Sequence, residues 1–101
     1  MKLLILLGVE ASEPILRQLF HASGVEVYSE FPIQGHRLPG MLPDPTNWFG
    51  TRTDGVYATM AFAFLSAEKA TAVEEALAAH NRANPTAYPL HAFRLAVESA
   101  T

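Results

Sequence analysis

The chain has 101 residues, half of them hydrophobic and 17% charged, with a net charge of −3 and no cysteine. That length makes one domain, residues 1–101, and its negative balance excludes sequence-independent attraction to nucleic acid or anionic membrane. The lack of cysteine excludes thiolate metal sites, cysteine nucleophiles and a disulfide framework.

The first apolar run, residues 2–9, is continuous and aliphatic, the pattern of a strand buried on both faces. It also has the outline of a minimal signal peptide, with Val9-Glu10-Ala11 as a loose cleavage site. Only one lysine precedes it, however, and it falls far short of the ~20 residues of a membrane span. A strand is the better assignment, and a cytoplasmic location is expected. Ser12 is placed to cap a helix, with Glu13 and Pro14 in its first turn. Ile15, Leu16, Leu19 and Phe20 recur at helical spacing, and Ser23-Gly24 ends the helix.

Val25, Val27, Ser29 and Phe31 alternate with Glu26, Tyr28 and Glu30, which predicts a second strand, and Pro32 limits its pairing. A long segment follows, residues 34–54, rich in proline and glycine. It carries Gly35, His36, Arg37, Asn47, Trp48, Phe49 and Arg52, including the single tryptophan of the chain. Connections longer than ~12–15 residues are usually functional or disordered, and aromatic clusters are rare in disordered segments. The segment therefore reads as a recognition loop.

Residues 56–65 form a third strand, with Val56, Met60, Phe62 and Phe64 on one face and Tyr57, Thr59, Ala61, Ala63 and Leu65 on the other. Ser66 can cap a second helix, running to about Arg82, whose apolar stripe is Ala70, Val73 and Leu77; Asn84-Pro85 stops it. A last strand, about residues 90–98, is expected to turn Phe93, Leu95 and Val97 to the core and Ala92, Arg94 and Ala96 away from it. The order is βαββαβ, an α+β, ferredoxin-like arrangement with an antiparallel sheet and both helices on one face. Because the first and third strands are apolar or small on both faces, the helix-free face is expected to pack on copies of itself.

No paired carboxylates or nucleophile-base spacing stands out, so no catalytic residue, metal site or cofactor is expected. His21 and His80 fall near helix C-termini, where an imidazolium suits the helix dipole. His36 and Arg37, at one end of the loop, and Arg52, near the other, could converge on an anion. Arg94 could pair with an acid across a subunit contact or hold an anion.

Three stretches carry a family resemblance. They are Asn47-Trp48-Phe49 with Asp54-Gly55-Val56, the junction of residues 62–70 from Phe62 to Ala70, and residues 81–98 from Asn81 through His91 and Arg94 to Glu98. Together with the topology and the long loop after the second strand, they resemble the PII-like signalling superfamily, and within it the small PII-like proteins found with heavy-metal efflux pumps of the resistance-nodulation-division class. The resemblance spans essentially the whole chain.

It implies a non-enzymatic homotrimer with its sheets facing one another and the long loop as the T-loop. A small effector, a nucleotide-like anion or a metal, would bind in intersubunit clefts through Gly35, His36, Arg37, Arg52 and Arg94. Asn47, Trp48 and Phe49 would meet a partner, for which such a membrane transporter is a candidate. The glycine- and lysine-containing phosphate loop of ATP-binding PII proteins has no counterpart in residues 83–89. The loop also has no tyrosine for uridylylation. The alternative is a dimeric ferredoxin-like barrel enzyme, a small monooxygenase or cyclase, with Trp48, Tyr28 and a histidine lining its cavity. A third possibility is an interaction module whose loop docks a partner without any effector.

Overall fold

The computed structural model describes residues 1–36, 56–86 and 88–101. Four strands, β1 (Lys2–Val9), β2 (Ser29–Gly35), β3 (Val56–Leu65) and β4 (His91–Ala96), form one antiparallel sheet in the order β2-β3-β1-β4. Helices α1 (Glu13–Ala22) and α2 (Ala67–Ala83) cover one face. The first apolar run is thus a central strand, paired with β3 along its whole length and with β4 along most of it.

The core lies between that sheet face and the helices. Leu4 and Leu6 of β1, Ala61, Ala63 and Leu65 of β3, Leu16, Leu19 and Phe20 of α1, and Ala70, Val73 and Leu77 of α2 form one buried cluster. On β3, Ala61 and Ala63 point to the helices and Phe62 and Phe64 away, the partition its alternation predicts. Small residues beneath the helices let them approach the sheet closely. Gly8 belongs to the same arrangement: a Cβ there would lie 2.8 Å from Leu90 Cδ2 and 3.1 Å from Ser12 Cβ.

Helix ends follow their local chemistry with one exception. Ser66 Oγ accepts the Lys69 N–H at 3.2 Å and caps α2. At α1, Ser12 makes no side-chain cap bond, because a 3₁₀ turn (Glu10–Ser12) runs straight into the helix and Glu13 N–H donates to Glu10 O instead. At the other end, Gly24 adopts φ +76°. Its N–H donates to His21 O at 3.1 Å and that of Val25 to Phe20 O at 3.0 Å, a Schellman closure that needs a left-handed residue. Lys69 Nζ then donates to Gly24 O at 2.9 Å, tying the second helix to the end of the first.

Three expectations change. The second strand starts at Ser29, not Val25: the Schellman turn leaves the chain in the helix layer, and residues 25–28 cross from there to the sheet. Val25 is buried, Tyr28 stacks on Phe20 with centroids 5.0 Å apart, and Val27 is 81% exposed. The strand also takes in Gln34 and Gly35, paired with Tyr57 and Val56, so it reaches two residues into the segment read as loop. Pro32 sits inside it because β2 is an edge strand, where a missing donor costs no ladder bond on the open side.

The faces of β4 are reversed relative to the sequence pattern. Phe93 and Leu95 are 38% and 46% exposed on the helix-free face, whereas Ala92 packs against the core and Arg94 points toward α2. Register decides this: Arg94 pairs with Leu4 and Ala92 with Leu6, the two core residues of β1. Hydrophobic pattern alone picks the larger stripe for the core, but both faces of this sheet are apolar. On the helix-covered side Arg17 Nε donates to both Glu30 carboxylate oxygens, at 2.9 and 3.1 Å, and its guanidinium also reaches Glu13. The Arg17 hydrogen bond holds the Glu30 carboxyl below the usual carboxylate range.

Candidate functional site

The helix-free face of the sheet is apolar on every strand. Leu3, Ile5 and Leu7 of β1 alternate out of the core, flanked by Met60, Phe62 and Phe64 of β3 and by Phe93 and Leu95 of β4, with Phe31 on β2. Phe31 and Phe64 meet Phe62 edge-on, at centroid distances of 6.2 and 6.4 Å. Phe64 is 58% exposed and Phe31 42%. Soluble monomers rarely present so continuous an apolar sheet face to water.

At one end of this face is a small pocket lined by Leu7, Val9, Ile33, Ala58, Tyr88, Pro89 and His91. Its position follows from the strand ends: β2 stops at Gly35 and β3 starts at Val56, so the pocket lies beside the root of the segment 37–55. Tyr88 and Pro89 come from the α2–β4 connection, and together these neighbours leave Leu7 and Ala58 buried on a face otherwise open.

Asn81 fixes that connection. Its side-chain Nδ2 donates to Leu90 O at 2.9 Å and its Oδ1 accepts the Leu90 N–H at 3.0 Å, so one carboxamide satisfies both backbone groups of a buried residue. It thereby positions Pro89 and His91 on either side of Leu90. Asn81→Ala leaves both groups of Leu90 without their partner and is expected to cost about 1–3 kcal/mol in a denaturant-unfolding measurement. A change below a few tenths of a kcal/mol would mean that water replaces the amide fully.

His91 stacks on Phe93, rings 6.4 Å apart and 19° from parallel. Burial pushes its imidazole pKa down, because the pocket wall disfavours the charged form. The neutral ring is therefore the folded one, and the unfolded chain binds the extra proton. The stability contributed is complete above the ordinary histidine value of about 6.5 and is lost as pH falls from there through the folded value. Unfolding midpoints at about pH 7.5 and 5.5 should differ more in the parent chain than in His91→Gln. Equal differences would show that His91 contributes none of the acid sensitivity.

The structure places the sequence-predicted residues as follows. Gly35 is buried at the end of β2, and His36 follows it, exposed, at the loop root. Arg37, Asn47, Trp48, Phe49 and Arg52 lie outside the described residues. Arg94 is separated from the pocket by the sheet itself: its guanidinium donates to Thr71 Oγ1 at 2.9 Å and pairs with Glu74, both on α2. The acid it pairs with is thus in its own chain, not across a subunit contact. Sequence reasoning passed over Tyr88, Asn81 and His91 as site residues. A Tyr-Pro pair directly before a strand was the available signal for the first; nothing local marked the carboxamide clamp. Among the described residues no three His, Cys, Asp or Glu side chains converge as metal ligands. No described helix is long and apolar enough to cross a membrane.

No family model and no curated protein matches the sequence. Among solved structures, the chain is similar to a "putative PII-like signaling protein" from Thermus thermophilus. The match has 18% identity and a TM-score of 0.63, and it covers 93% of this chain and 83% of that one. The chain has the PII-like fold. At that identity the likeness speaks for the fold alone, and it agrees with the sheet order and the two helices derived above. The root of the segment 37–55 and the Tyr88-Pro89 connection fall at one end of the apolar sheet face.

Proposed function

We propose that the protein is a non-enzymatic PII-like regulator acting as a homotrimer in the cytoplasm. The observation that carries this is the apolar helix-free face, which one chain leaves exposed and three copies would bury against one another. A small effector, a nucleotide-like anion or a metal, binds in clefts between subunits beside the loop root. Gly35 gives the backbone close access there, and His36, Arg37 and Arg52 contact the effector. Within one chain Arg94 does not reach them, because it lies across the sheet, bound to Glu74 and Thr71 of α2. Differential affinity of the effector for two arrangements of the loop shifts their populations. Asn47, Trp48 and Phe49 then present one of these to a partner, a heavy-metal efflux transporter of the resistance-nodulation-division class.

Native mass spectrometry tests the assembly. A trimer is the expected mass; a dimer favours the barrel enzyme, and a monomer overturns both. The barrel enzyme already loses one wall residue, since Tyr28 packs on Phe20 beneath the helices. Thermal shift with adenine nucleotides and divalent cations tests the effector, because binding to the folded state raises Tm. The response should vanish in Arg52→Ala. A shift unchanged in His36→Ala, Arg37→Ala and Arg52→Ala would overturn the site, and no shift with any ligand would favour the effector-free interaction module.

A further inference from the structure

On the helix-covered side, away from the loop-root pocket, is a groove of about 280 Å³ between the start of α1 and the edge strand β2, lined by Glu13, Glu30, Phe31, Pro32 and Thr59. Thr59 is its unusual member. It is only 3% exposed, and no other polar residue described in the chain is as buried. Among the described residues its hydroxyl has no hydrogen-bond partner. Its register explains why: Thr59 stands between Gly8 on β1 and Pro32 on β2, and neither neighbour brings a polar side chain. A buried hydroxyl without a partner is costly, and such a group calls for something that fills its hydrogen bond.

The charges around it point to the chemistry of that partner. Glu13 and Glu30 carry two negative charges and Arg17, bound to both, carries one positive charge, so the cluster is left with an excess of one negative charge. An anion would meet both carboxylates. A divalent metal is a poor fit, because no third acid or histidine joins the two carboxylates among the described residues. An ammonium group has three donors and no acceptor, and the groove offers two carboxylates and one hydroxyl as acceptors. Pro32, on the same sheet face as Thr59, supplies an apolar wall beside them.

We propose that this groove binds a small organic cation, a primary ammonium on a short apolar stem. The ammonium donates to Thr59 Oγ1 and the Glu30 and Glu13 carboxylates, and the stem lies against Pro32. The site uses none of the residues at the loop root and stands independently of the regulatory function proposed above.

The full-length chain titrated with n-butylammonium chloride at constant ionic strength, followed by amide NMR, tests it. Saturable shifts are expected at Thr59, Glu30 and Phe31, with sodium chloride and sodium butyrate giving none. Glu30→Gln should weaken binding roughly tenfold or more, since it removes a charged acceptor. Thr59→Val should weaken binding several-fold while leaving Tm unchanged or higher, because it removes an unpartnered buried hydroxyl. Should Glu30→Gln fail to fold, Glu13→Gln keeps the Arg17–Glu30 pair and should still weaken binding. Shifts that stay linear up to about 100 mM, or that sodium reproduces, overturn the proposal. So does a marked fall in Tm for Thr59→Val, which would mean that the hydroxyl already has a partner within the chain.

Discussion

Phe64→Lys combined with Leu95→Lys is expected to convert the proposed trimer into monomers that remain folded. Both side chains flank Leu3 on the helix-free face, one in β3 and one in β4. They are 58% and 46% exposed, so their loss leaves the core of the single chain untouched. Burying a fully exposed side chain of this kind contributes about 1.5–3 kcal/mol, and about half of each is still exposed, so the pair accounts for about 1.5–3 kcal/mol per protomer, at least about tenfold in dissociation. Two like charges in the same patch add repulsion and desolvation to that loss. Native mass reports the assembly and far-UV circular dichroism the fold. An unchanged mass would remove the helix-free face from the interface, and with it the main support for the proposed trimer.

Phe20→Ala acts on the other side of the sheet and should destabilise the chain itself by about 3–5 kcal/mol. Phe20 is completely buried, stacked on Tyr28, and belongs to the cluster that joins both helices to the sheet. Leu4, Leu6 and Val73 of the same cluster are themselves fully buried, so removing the ring leaves a cavity within a closed core. The comparison is best made in the Phe64→Lys, Leu95→Lys background, where association no longer adds to apparent stability. A loss below about 2 kcal/mol would mean that the core repacks around the missing ring.

Those three substitutions mark where the sequence was and was not informative. The α1 stripe of Leu16, Leu19 and Phe20 reads unambiguously because its opposite face is polar, and β3 reads correctly because small and large residues alternate from Met60 to Phe64. The topology followed from these elements and from the glycine and proline punctuation between them. β4 misled because Phe93 and Leu95 outweigh Ala92, and a two-faced apolar sheet gives alternation no polar reference. Only pairing register, Leu4 with Arg94 and Leu6 with Ala92, settles which face meets the helices. The start of β2 was misplaced for a related reason: Val25 and Val27 alternate like strand residues, yet the hydrogen bonds that close α1 consume the backbone there. Of the candidate site, only the position of Gly35 and His36 beside the segment 37–55 was legible, whereas the Asn81 clamp on Leu90 joins residues nine apart through a side chain that any helix surface could carry.

The partition of β3, with Ala61 and Ala63 beneath the helices and Phe62 and Phe64 outside, separates two events in time. A core closed by small residues is complete within one chain, so collapse and helix docking need no second molecule and run at a rate independent of concentration. In the proposed trimer the aromatic face is therefore finished before it meets another copy, and assembly is a later, second-order step. Refolding at low protein concentration should therefore recover helical signal well before the assembled mass, and the gap should shorten as the protein becomes more concentrated.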